Sequence, residues 1–112
     1  MNGKYVIQHA ASSQFHWVLK AGNGESVLSS QLYNSKQSAE TGIQSCRTNS
    51  SNDERFMRLV AKDGKPYFVL KAGNGQTIGQ SQMYATVDGC KLGMDSVRRH
   101  APDAALVDET QE

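Results

Sequence analysis

Three histidines and two cysteines are the residues of this 112-residue chain best suited to bond-making chemistry, and their spacing argues against it. His9, His16 and His100 do not stand at metal-ligand spacing from one another or from Cys46 and Cys90, and no G-x-S-x-G or H-E-x-x-H run exists. The runs Ala21-Gly22-Asn23-Gly24 and Ala72-Gly73-Asn74-Gly75 invite a phosphate-cradle reading. They lack both the third glycine of a dinucleotide fingerprint and the Lys-Ser/Thr ending of a P-loop. Each joins two strand-like stretches, so each is read as a tight hairpin, Asn-Gly tolerating the positive φ angles that primed turns need. With no convergent set of polar groups in view, the expectation is a chain that is not an enzyme, with no catalytic residues, metal or cofactors.

What the chain does offer is a set of polar residues written twice. Val18-Leu19-Lys20-Ala21-Gly22-Asn23-Gly24 returns as Val69-Leu70-Lys71-Ala72-Gly73-Asn74-Gly75, and the offset of 51 continues without a gap through Ser30-Gln31, Tyr33, Gly42, Ser45 and Arg47. Some of this has structural duties: Asn in the turn, Ser or Gln near a strand end, Arg47 and Arg98 at helix C-termini. The candidate binding residues are therefore the pairs Lys20 and Lys71, Asn23 and Asn74, Gln31 and Gln82, Tyr33 and Tyr84. Set around a two-fold axis, they would meet an anion or polymer at two equivalent places.

The elements that must position these residues follow from periodicity. Lys4–His9, Gln14–Ala21 and Glu25–Leu32 read as three strands, the middle one alternating between an apolar and an outward face. Ser35 then caps a helix with Ala39, Gly42, Ile43 and Cys46 on one stripe. The second copy repeats the plan over Arg55–Ala61, Lys65–Ala72, Gln76–Met83 and a helix capped by Thr86 and stopped by Pro102. Both cysteines fall on core-facing stripes as small apolar filler. Mid-helix Gly42 and Gly93 imply a close approach of helix to sheet.

These readings give an α+β fold of two tandem βββα repeats with pseudo-two-fold symmetry, antiparallel sheets packed against two helices, six strands in all. One domain is expected over residues 1–102, with repeats at about 4–49 and 55–100, because a single copy of about 45 residues buries too little surface alone. Each copy serves as the other's partner, so the expected state is a monomer with an internal pseudo-dimer. All twelve Lys and Arg precede residue 101, against seven acids there. Residues 103–112 hold the other four acids and read as an acidic, disordered tail. Without a signal-peptide pattern or a membrane-long apolar run, a reducing, cytoplasmic setting is expected and no membrane partner.

The segment from Phe15 to Ser45, Phe-x-x-Val-Leu-Lys-Ala-Gly-Asn-Gly-Glu followed by Ser-Gln-x-Tyr-x-Ser-Lys-x-x-Ala-Glu-x-Gly-Ile-x-Ser, resembles the YegP-type family of small bacterial proteins. That resemblance covers both copies and implies a tandem-repeat α+β fold. It implies no activity and no catalytic residues. The chain departs from the pattern where Val87 and Lys91 match Lys36 and Glu40, and where Gly79 matches Leu28. The functional expectation is a non-enzymatic interaction or binding module, with its partner left open by the residues and another protein as one candidate. The alternative is nucleic-acid or anion binding through the outward sheet face, where Lys20 and Lys71 share company with His16 and Tyr67.

Overall fold

Alternating strands joined by tight turns need a residue that can take positive φ at each turn, and the chain supplies it in a fixed place. The computed structural model, which describes residues 3–110, has β1 (Lys4–His9), β2 (Phe15–Lys20) and β3 (Ser26–Ser30) in the first repeat. The second has β4 (Phe56–Val60), β5 (Pro66–Lys71) and β6 (Thr77–Gln80). Helices α1 (Lys36–Asn49) and α2 (Val87–His100) follow β3 and β6, and a seventh strand, β7 (Ala105–Asp108), closes the chain.

The Asn-Gly turns are not the primed turns expected from their sequence. Only the glycines carry positive φ, +89° at Gly24 and +87° at Gly75, while Ala21 N–H donates to Glu25 O at 2.8 Å. This is a three-residue connection ending in a left-handed glycine. The asparagine stays right-handed because its Oδ1 accepts from the backbone two residues on, Asn23 from Glu25 N and Asn74 from Gln76 N, both at 3.0 Å. Ala61–Lys65 makes the same turn with Asp63 and Gly64. Its counterpart in the first repeat puts Ser13 in the left-handed region, at φ 63°.

The two repeats share one seven-stranded sheet rather than forming separate antiparallel sheets. Its order is β4-β5-β6-β3-β2-β1-β7, with β3 and β6 antiparallel at the centre. Ser29 lies opposite Gln80 and Ser30 opposite Gly79. Ser29 and Gln80 are separated by the repeat offset, so the pseudo-two-fold axis passes between them. A register shift on each side, at Leu19/Lys20 and Leu70/Lys71, is a bulge that turns consecutive side chains the same way. Val27 and Leu28 thus both enter the core.

Both helices lie on the face that carries Trp17, Leu19, Phe68 and Leu70, each fully buried and each stabilising by about 1.5–3 kcal/mol. Each helix covers strands of both repeats. α1 packs on β2 of its own repeat and reaches β5 and β6, while α2 packs on β5 and reaches β3. Ser35 and Thr86 cap the helices as expected, accepting from Ser38 N and Gly89 N. No helix among the described residues is long and apolar enough to cross a membrane.

The tail expected to be disordered over 103–112 is corrected by β7. Ala105–Asp108 pairs parallel with Lys4–Ile7, framed by Ala105 N–H to Gly3 O at 3.3 Å and Glu109 N–H to Ile7 O at 3.0 Å. Gln111 and Glu112 lie outside the described residues. Composition misled because Asp108 has a partner within the fold: Lys36 Nζ holds its Oδ2 at 2.8 Å, while Ala104 is buried in the core. The hydrogen-bonded ion pair with Lys36, with further bonds from Thr110, lowers the Asp108 carboxyl to about 2 from an ordinary 3.8. A depressed folded-state value means that the stabilisation is present above pH 4 and disappears as pH falls toward 2. Amide exchange should therefore accelerate at Val107–Glu109 over that interval, before β2 and β5 open, and Lys36→Met should produce the same local loss at neutral pH. Uniform protection of β7 down to pH 2 would contradict this role.

Candidate functional site

A hairpin turn and a bulged strand from one repeat face a helix from the other, leaving a cleft on each side of the axis. The larger, of about 750 Å³, is lined from the first repeat by Gln31, Tyr33 and the α1 residues Ser38, Thr41, Gly42 and Ser45. The second repeat supplies Ala72, Asn74, Gln76, Thr77 and Ile78. The smaller, of about 330 Å³, is its pseudo-symmetric counterpart, with Asn23, Glu25 and Val27 facing Gln82, Tyr84, Leu92, Gly93 and Ser96. Shifting either set by 51 residues reproduces the other except at Thr77, so each cleft is built in trans.

Six of the eight candidate residues therefore converge, in two groups of three: Gln31 and Tyr33 with Asn74, and Gln82 and Tyr84 with Asn23. Lys20 and Lys71 do not join them. Each sits on the strand face away from the helices, and the three antiparallel steps from β2 to β5 set the two lysines at opposite ends of that face. Its middle row is mainly aliphatic, with Val6, Val18 and Val69 beside Ser29 and Gln80. His16 and Tyr67 are likewise on different strand ends.

The Ser-Gln-x-Tyr segments divide their labour. Ser30 Oγ accepts from Trp17 N at 2.8 Å and donates to Gln31 O, and Ser81 does the same with Phe68 N and Gln82 O. The serine thus replaces a strand bond where β3 or β6 leaves the sheet. The tyrosine ring then lies against the helix glycine. A Cβ on Gly42 would overlap the Tyr33 hydroxyl, and one on Gly93 would overlap that of Tyr84. The mid-helix glycines are explained by a tyrosine, not by contact with the sheet backbone. Burial raises the pKa of both phenols, which keeps them neutral.

The larger cleft carries no charged side chain. Its wall offers the carboxamides of Gln31, Asn74 and Gln76 and the hydroxyls of Ser38, Thr41 and Ser45. Some are already engaged: Asn74 Oδ1 by its turn, Thr41 Oγ1 by Gln37 O at 3.0 Å. The smaller cleft substitutes Glu25 for Gln76, Gly89 for Ser38 and Leu92 for Thr41, and Leu92 is 68% exposed. Ser38, Thr41 and Gln76 escaped notice in the sequence because they differ between the copies. Their signal was a small polar stripe at 38, 41/42 and 45, alongside the apolar stripe of α1.

Cys46 and Cys90 are buried free thiols, as their stripe positions predicted. Burial pushes the Cys46 thiol up to about 12 and raises Cys90 as well, so neither is poised as a nucleophile. No cluster of His, Cys, Asp or Glu among the described residues is arranged to hold a metal. Arg47 and Arg98 lie over the rings of Tyr5 and Phe56, 4.8 and 4.7 Å from their centroids.

Comparison with known proteins covers nearly the whole chain. A family model described as a domain of unknown function, DUF1508, matches twice, at residues 10–56 and 61–108. A UPF0339 protein of Acinetobacter baylyi is 51% identical over 110 residues, spanning 98% of this chain and 99% of the relative. The UPF0339 protein YegP of Escherichia coli strain K12 is 47% identical, spanning 98% and 100%. Among solved structures, the solution NMR structure of YegP superimposes with a TM-score of 0.92 at 47% identity, covering 97% of this chain and 94% of that one. The solution NMR structure of a UPF0339 protein from Shewanella oneidensis gives 0.90 at 44% identity, covering 96% and 92%.

Two expectations follow from the packing. Gly42→Ala should lower stability by about 1–3 kcal/mol through overpacking, and Tyr33→Phe in that background should recover part of it by removing the obstructing hydroxyl. Urea melts of the four-member cycle measure this, and strict additivity would refute the Tyr–Gly contact. For Cys46, a folded-state value raised from 9.0 to about 12 means that native stability is complete below pH 9 and erodes as pH climbs toward 12. Cys46→Val, the residue that the other repeat carries as Val97, should flatten that alkaline slope of the urea midpoint.

Proposed function

The chain belongs to the DUF1508 family, whose relatives carry names without an activity, and on that footing we propose that it is a non-enzymatic binding module acting through its inter-repeat clefts. One observation carries the reading. Most polar residues written in both copies without a backbone duty, Gln31 and Gln82 above all, are delivered to the clefts, and each cleft needs both repeats. A site assembled in trans explains why the turns and the post-strand segments are kept together in a tandem chain.

The chemistry of the larger cleft selects an uncharged ligand bearing hydroxyl or amide groups, such as a saccharide or a short peptide backbone. Carboxamides and hydroxyls both donate and accept, and the half-buried Tyr33 ring gives an apolar edge beside them. No lysine or arginine lines it, so phosphate has no counter-charge there. Nucleic-acid or anion binding on the outward face would have to work with Lys20 and Lys71 apart and valines between them. The two protonated, buried thiols argue for binding over covalent catalysis.

Saturation-transfer NMR with a panel of neutral oligosaccharides and blocked dipeptides tests the proposal. At least one class should bind to the intact chain, with affinity unchanged between low and about 0.5 M salt, since no ion pair is involved. Gln31→Ala should weaken it by about tenfold, equivalent to ~1.4 kcal/mol, and Gln82→Ala by much less. Binding confined to single-stranded nucleic acid, steeply weakened by salt and by Lys20→Ala/Lys71→Ala, would replace this reading with the outward-face one.

A further inference from the structure

The two ends of the sheet are equivalent by the repeat, yet only one is covered. At the β1 edge, β7 hydrogen-bonds in parallel, Tyr5 Oη donates to Ala101 O at 2.7 Å, Arg47 Nη1 donates to Pro102 O, and Lys36 takes Asp108. The edge residues beneath, Tyr5 and Ile7, are fully buried. At the β4 edge their counterparts are Phe56 and Arg58, and no strand lies outside them among the described residues. In place of the Ala101–Asp108 segment there is a cleft of about 300 Å³ lined by Arg58, Lys91, Met94, Asp95 and Arg98. Met57 is 43% and Val60 71% exposed along the same strand.

We propose that the β4 edge and this cleft form a docking site for an extended, acidic peptide segment of a partner protein, added as an eighth strand. The chain supplies its own precedent, because Leu106-Val107-Asp108-Glu109 is such a segment on the equivalent edge. Charge selects the occupant. Where the β1 side has Ile7, Glu40 and Arg47, the β4 side has Arg58, Lys91 and Arg98. The one acid of the cleft, Asp95, is tied to Arg98 at 2.7 Å, which leaves Arg58 and Lys91 without an ion-pair partner among the described residues. An open edge donates main-chain hydrogen bonds, and the basic cleft favours carboxylates over neutral or basic sequences.

A blocked synthetic peptide of residues 103–110 of this chain serves as the probe, titrated into the full-length labelled protein and followed by NMR. Saturable amide shifts at Phe56–Val60 and Lys91 are expected. Lys91→Glu should weaken binding roughly tenfold. Arg58→Pro, which an edge strand tolerates while losing a main-chain donor, should abolish it with β5 and β6 resonances unmoved. Shifts at β1 in place of β4, equal affinity for a peptide with its acids changed to Lys, or no binding at about 1 mM peptide would each overturn the proposal. So would concentration-dependent broadening of β4 without peptide, which would assign the edge to a second copy.

Discussion

The contact on which this architecture depends is the short antiparallel pairing of β3 with β6, where Ser29 faces its own counterpart, Gln80. A repeat of about 45 residues has one apolar sheet face and one helix, too little to stand alone in water. Joining the two small sheets edge to edge gives a face wide enough for both helices to bridge, and each helix touches strands of both repeats. The axis also imposes an asymmetry. A Cβ at Gly79 would sit 2.8 Å from Ser29 O and 2.9 Å from Leu28 Cγ, so one leucine fills the space that two equivalent leucines would contest. Exact duplication is therefore forbidden at the axis itself.

The same pairing places the clefts. Because β3 and β6 run side by side, the hairpin at the far end of one repeat arrives beneath the helix of the other. The register shifts at Leu19/Lys20 and Leu70/Lys71 leave Val27 and Ile78 unpaired, and these two residues enter the core and line the clefts. The tyrosine after each strand wedges against a helix glycine and holds the helix off the turn, which is what keeps a gap there. Packing and site are thus one arrangement: Ser30 and Tyr33 position what Gln31, between them, presents.

Much of this was legible from the residues. Period-two runs around Trp17 and Phe68, caps at Ser35 and Thr86, and apolar stripes through Ile43 and Val97 fixed element types, and the duplication fixed their order. What escaped was set by tertiary geometry. Pairing each candidate residue with its copy gave two equivalent places around an axis but not the partners within each, and Asn74 meets Gln31 while Asn23 meets Gln82 across that axis. The lysines looked functional because they lacked a structural excuse, but strand direction sends them apart. Asn-Gly favoured a primed turn, and the Asx bond to Glu25 N selected the other geometry. The turn was a local choice between two geometries, but the pairing across the axis and the separation of the lysines depend on which strand lies next to which, and local sequence could not report them.

The tail shows how a broken repeat becomes informative. The offset of 51 carries Glu54–Met57 onto Ala105–Asp108, so β7 is the counterpart of the start of β4, the strand to which α1 delivers the chain. By symmetry α2 delivers it to the place that β1 already holds, and Ala105 N–H meets Gly3 O at the start of that strand. The incoming segment must then lie outside β1 and run in the same direction, which accounts for a parallel strand in an otherwise antiparallel sheet. Its acids are tolerated because Lys36 stands at the N-terminus of α1 to receive Asp108. The second repeat has Val87 at that position and gains Arg58 and Lys91 nearby. The two edges of a duplicated sheet have thereby diverged, one sealed by the chain itself and the other left open with an excess of positive charge.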